Sequence, residues 1–147
     1  MLELHLNLQE VFYEKHYYIL EVKWRVIENI GETNGNLYEH LAEHWLEKKV
    51  EFCREHLKIQ ESVAPGLSKY RAYLFSHIAE PLYWLTKKKY TQQHSTEKEL
   101  IEAMEEVAEH LHIVINIWGP YRPGSEERKQ AECARNLLEM VENMYHN

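Results

Sequence analysis

Apolar residues recur three or four positions apart along most of this chain, the spacing that makes one face of an α-helix. The clearest case is Leu100, Met104, Val107, Leu111, Val114 and Trp118, with gaps that alternate between four and three. Thr96 and Glu99 stand before it with the spacing of a capping box, and Gly119-Pro120 closes it. A second run follows at Ala131, Ala134, Leu138, Val141 and Tyr145; Ser125 is its N-cap, and Glu126 and Glu127 sit at its positive end. The densest apolar and aromatic stretch lies at the centre of the chain, after the breaker Pro65-Gly66. There Leu67, Tyr70, Leu74, Ile78, Pro81, Leu82 and Leu85 form one stripe, while Tyr73, Phe75, Tyr83 and Trp84 fall outside it. A helix with large apolar groups on more than one side is buried on more than one side, so this one belongs in the middle of the array. It fades near Tyr90–Gln93, and Pro81, which has no N–H, predicts a kink or break near Glu80.

Two further helices precede it. The first is expected over about Leu8–Ile30, with Leu8, Phe12, Ile19, Val26 and Ile30 on one face, Tyr13, Tyr17, Leu20, Trp24 and Ile27 on another, and Gly31 as its stop. The alternation of Leu2, Leu4 and Leu6 before it reads either as a strand fragment or as the tail of an adjoining domain. The second helix is expected to start near Asn36, with Glu39 completing a capping-box spacing, and to bury Ala42, Trp45, Leu46, Val50, Cys53 and Leu57. Starts about every thirty residues with short connections predict an all-α fold: about five long antiparallel helices in an array of hairpins, in one helical domain over residues 1–147. The spacing is tetratricopeptide-like in a degenerate way, because the helices are longer than that repeat and lack its consensus residues.

Composition narrows the function. The net charge of −7 argues against a general nucleic-acid binder, and Lys48-Lys49 and Lys87-Lys88-Lys89 read as solvated faces and helix ends. No apolar run approaches the roughly 20 residues that span a bilayer. The opening M-L-E-L-H-L-N-L-Q-E has neither the basic nor the continuous apolar region of a secretory signal. A cytoplasmic or nuclear location is therefore expected, with Cys53 and Cys133 as buried reduced thiols inside apolar stripes.

Candidate chemistry is sparse. His40-Leu41-Ala42-Glu43-His44 matches H-x-x-E-H, the inverted zinc-peptidase pattern, in which His40 and His44 would share a helix face, bind Zn²⁺, and use Glu43 as general base. Five residues are a small signal in a chain with ten histidines and twenty-four acids, and no third ligand is singled out. His110 and His112 fall on different sides of one helix, His77 reads as a satisfied core histidine, and nothing near Cys53 activates it. Five glycines form none of the usual phosphate-cradling motifs.

One resemblance carries more. The run Pro65-Gly-Leu-Ser-Lys-Tyr-Arg-Ala-Tyr-Leu74, continuing through Ser76-His77 to Pro81-Leu82, is similar to the C-terminal helical region of SET-and-MYND lysine methyltransferases, most of all their arthropod branch. There a P-G-x-S-x-x-R-x-x-L segment follows a helix of the K-x-x-x-C-R character seen at Lys49–Arg54. Glu99 to Ile117, then Gly119-Pro-Tyr-Arg-Pro-Gly-Ser125 and the Ala-rich last helix, resembles the family's "helix, P-Y-x-P-x-G-S turn, helix" ending, and Tyr17-Tyr18 with Glu21-Val22-Lys23 fits the first helix. The resemblance implies a parent that uses S-adenosylmethionine in its SET core and zinc in its MYND finger and post-SET segment. The residues for those tasks are missing here, so it assigns this chain no catalytic, cofactor or metal residue. What it implies is a noncatalytic domain that packs on the SET core of the parent, walls off its substrate cleft and binds other proteins, through the concave side of the array and the exposed turn Tyr121-Arg122. The alternatives are a free-standing helical adaptor and, from the pattern above, a zinc hydrolase using His40, Glu43 and His44.

Overall fold

The computed structural model describes residues 17–29, 38–63 and 68–145. They form five helices: α1 (Tyr17–Asn29), α2 (Glu43–Val63), α3 (Ser68–Thr91), α4 (Glu97–Trp118) and α5 (Glu126–Tyr145). No strand occurs among the described residues, so the all-α expectation holds. Leu2 to Phe12, Tyr13, Ile30, Gly31 and Asn36 lie outside the described residues, as does the Pro65-Gly66 breaker.

Each helix packs on the next, and α3 touches α2, α4 and α5. Contacts at the helix ends fix the directions. Lys89 near the end of α3 pairs with Glu47 near the start of α2, and Arg71 at the start of α3 with Glu61 at the end of α2. Tyr73 meets Trp118 at the end of α4, and the hydroxyl of Tyr145, the last residue of α5, donates to the carbonyl of Ile101 early in α4. The helices α2 to α5 are thus antiparallel neighbours in sequence order.

The ends follow from local chemistry. The α4 start is a complete capping box: Thr96 Oγ1 accepts from the Glu99 N–H and the Glu99 carboxylate accepts from the Thr96 N–H. Ser125 Oγ accepts from the Arg128 N–H at the start of α5. The α3 end is a Schellman motif, with His94 N–H donating to Lys89 O, Gln93 N–H to Tyr90 O, and Gln93 at φ 61°. Glycine is the usual residue at that left-handed position, so the sequence gives no sign of it.

The α3 helix continues through Pro81, so the chain does not break near Glu80. A proline leaves the carbonyl four residues back without its helical donor. That carbonyl belongs to His77, and the thiol of Cys53 on α2 donates to it at 3.7 Å. Cys53 is fully buried, so the cross-helix bond forms in the interior.

The core is built from Val50, Cys53, Leu74, Ile78, Leu82, Met104, Val107, Leu111, Val114, Ala131 and Val141, among others, in agreement with the stripes of α3, α4 and α5. On α2, Leu46, Val50 and Cys53 are buried as expected and Leu57 is half-buried, but the buried face is broader than the expected stripe: Lys49, Phe52, His56 and Ile59 are buried too, while Ala42 and Trp45 are exposed. Cys133 is exposed as well, because it lies beside the Ala131–Ala134–Leu138 stripe rather than in it, and Tyr145 is 43% exposed.

Candidate functional site

Three groupings of chemistry-bearing side chains stand out. The first joins α1, α2 and α3. The Trp24 indole contacts the rings of His56, Tyr70, Tyr73 and His77, with centroids 4.9 to 5.8 Å apart. Its N–H donates to Glu28 Oε1 at 2.8 Å, and His56 Nε2 lies 3.0 Å from the Tyr70 hydroxyl. Rings this close fill the space between them, so the cluster is packing. Burial, then the charges of Glu21 and Glu28, push the Tyr70 hydroxyl above its ordinary range.

Lys49 is wholly buried beside this cluster, which corrects its assignment to a solvated face; Lys48 is exposed. Its ammonium lies 5.3 Å from the Tyr38 ring centroid. Burial drives the Cys53 thiol up to about 12, partly offset by Lys49. Burial and then Lys49 drive His77 down to about 3. At neutral pH the thiol is protonated and the imidazole is a very weak base, so neither is tuned for nucleophilic or acid–base work. The core-histidine reading of His77 holds.

The second grouping is the H-x-x-E-H segment. Helix α2 begins at Glu43, and His40 stands in the preceding turn, so His40 and His44 do not share a helix face. Glu43 Oε2 faces His94 Nδ1 at 3.3 Å, and the His44 ring lies against Trp45. Glu43 and His44 thus have different neighbours. No group of three or more His, Cys, Asp or Glu placed to hold a metal ion occurs among the described residues. His110 is nearly covered, with Nε2 3.3 Å from Glu106 and its ring on Phe75, while His112 points to solvent.

The third is a groove of about 620 Å³ between α2 and α4, floored by Leu82, Leu85 and Thr86 of α3. Its walls are charged. Lys89 pairs with Glu47 at 2.8 Å, and Arg54 reaches across from α2 to Glu106 of α4. Glu106 also accepts from His110, and these two partners hold its carboxyl down at about 2. The sequence shows these positions as the polar side of α2 and α4 but not which of them pair.

Of the turn residues, Arg122 is exposed and Tyr121 is half-buried against the core. The turn is braced: Arg122 O accepts from the N–H and hydroxyl of Ser125, and the Arg128 guanidinium donates to Gly119 O. Lys87 stacks over Tyr83 and Trp84, and Lys88 donates to Leu41 O, so the α3 lysines brace a helix end. No helix among the described residues is long and apolar enough to cross a membrane. Comparison with protein-family models, with curated proteins and with solved structures finds no match.

Proposed function

We propose that this chain is a noncatalytic interaction domain: the C-terminal helical part of a SET-and-MYND-type lysine methyltransferase, covering the substrate cleft and holding protein partners. The observation that carries the reading is the α2–α4 groove, about 620 Å³ in volume, with an apolar floor and walls of salt-bridged side chains. Surface ion pairs contribute about 0–1 kcal/mol each, so a partner bringing its own charges exchanges them at little cost. Rigid antiparallel helices hold such walls in register for recognition. The resemblance of Pro65–Leu74 and of Gly119–Ser125 to that family supplies the identity of the neighbour, the SET core. S-adenosylmethionine and zinc belong, in this reading, to the parts of the parent outside this chain.

Hydrogen exchange of the chain with and without the SET core of its own protein tests the proposal. Slower exchange along α2 and α4, lost in a Lys89→Glu plus Arg54→Glu variant that keeps its helicity, is the expected result. No protection at saturating SET core would overturn it and leave the free-standing adaptor.

A further inference from the structure

The flank of α4 that faces away from the α2–α4 groove carries a regular surface of its own. Ile101, Ala108 and Ile115 recur every seven residues, and Glu105 and His112 repeat beside them. On α5, Arg128, Arg135 and Glu142 keep the same interval. Seven residues are about two helical turns, so each set makes one line along its helix. Three contacts put the lines of α4 and α5 side by side. The Tyr145 hydroxyl donates to Ile101 O at 3.4 Å, and burial, then the Glu105 charge, raise that hydroxyl above its ordinary range. A guanidinium nitrogen of Arg135 lies so close to Gly119 that a β-carbon there would stand 2.9 Å from it. Ile101 is 40% exposed and Tyr145 43%, while Ala108 and Ile115 are half-buried. Glu105, His112, Arg135 and Glu142 are exposed, and none of them has an ion pair or side-chain hydrogen bond among the described residues. The charge along the face is polarised. Arg135, and Arg128 with its partner Glu132, lie towards the end of α4; Glu105, Glu139 and Glu142 lie towards its start.

We infer that this α4–α5 face binds a second copy of the chain, laid antiparallel about a two-fold axis, so that Arg135 of each copy meets the partner's Glu142 and Glu105 meets the partner's His112. A two-fold interface must match itself, and a face that is basic at one end and acidic at the other does so when one copy is turned end for end. The parallel arrangement would set Arg135 on Arg135 and Glu142 on Glu142, which like-charge repulsion disfavours. Both pairs are centred alike: Ala108 lies midway between Glu105 and His112, Leu138 and Glu139 lie midway between Arg135 and Glu142, and both midpoints fall between the Tyr145–Ile101 and Arg135–Gly119 contacts. The exposed parts of Ile101 and Tyr145 supply apolar area to bury. The net charge of −7 repels a second copy at long range, but at about 0.15 M salt the screening length is about 8 Å, which damps that repulsion far more than it weakens pairs in contact. Glu99 and Ala103, the α4 side of the α2–α4 groove, lie on the opposite flank, so that groove stays open in the dimer. The inference does not depend on the SET-and-MYND reading.

Sedimentation equilibrium of the whole chain over about 1 μM to 1 mM protein tests the inference. The mass should rise with concentration from 17.8 kDa towards twice that value. Arg135→Glu and Glu142→Arg should each weaken self-association about tenfold or more, because each sets like charges together at both contacts. An equimolar mixture of the two variants should recover the association to within about threefold, because the mixed dimer joins opposite charges at both contacts. Glu142→Arg also takes negative charge off the chain, so long-range repulsion alone would make it associate more tightly, the opposite of the expected result. Both positions are exposed, and a chain carrying both changes should associate like the parent protein, which separates lost pairing from lost folding. A chain that stays at 17.8 kDa throughout, single variants that associate like the parent protein, or a mixture as weak as its components would each overturn the inference.

Discussion

The bond from the Cys53 thiol to the His77 carbonyl gives a test in which two residues 28 positions apart must be coupled. Cys53→Ala removes a fully buried sulfur and the donor that serves the carbonyl orphaned by Pro81. The lost burial and small void cost about 1 kcal/mol, and the unsatisfied carbonyl adds about 1 kcal/mol, the low end because a thiol is a weak donor. The expected total is about 2 kcal/mol. An alanine at position 81 restores a backbone N–H four residues after His77, so the carbonyl no longer needs the thiol. In the Pro81→Ala background, Cys53→Ala should therefore cost only about 1 kcal/mol, a coupling of about 1 kcal/mol. Urea unfolding of the four proteins measures it directly. A cycle that closes to within about 0.3 kcal/mol would show that the thiol is not the substitute donor.

Other outcomes follow from the same packing. Leu74→Asp places a charge at a position with no exposure and should cost on the order of 4 kcal/mol, enough to unfold the domain; a variant that melts like the parent protein would misplace the core. His77 is held down at about 3 against about 6.5 in an unfolded chain, so the unfolded chain takes up its proton first. Stability is then full above about pH 6.5 and declines towards about pH 3, and His77→Gln should flatten that stretch of a urea-midpoint profile; coincident profiles would refute the assignment. Gln93→Gly relieves a left-handed backbone and should stabilise the protein by about 0.5–1 kcal/mol in thermal unfolding, with no change or a loss counting against the Schellman geometry.

The sequence shows α4 and α5 almost completely, because their apolar period is regular and their caps use Thr96, Glu99 and Ser125 in the usual places. It shows α3 as central and buried on several sides. Of α2 it shows Leu46, Val50 and Cys53 as buried, but not the full width of the buried face: Lys49, read as surface, is buried, and Trp45, read as core, is 38% exposed. The carbonyl that Pro81 leaves without a helical donor accepts from a thiol in a different helix, which no local pattern encodes. The zinc pattern fails for a local reason: α2 starts at Glu43 and leaves His40 in a turn. The α2–α4 groove appears in the sequence only as polar positions on two helices; its ion pairs require the packed structure.

The most direct test of the proposed role is the reading frame upstream of the Met1 codon in the complete transcript. If the proposed role is right, the frame continues through a SET core and the clustered cysteines of a MYND finger. An in-frame stop with neither preceding it would contradict the methyltransferase parent and leave a helical adaptor that works by itself.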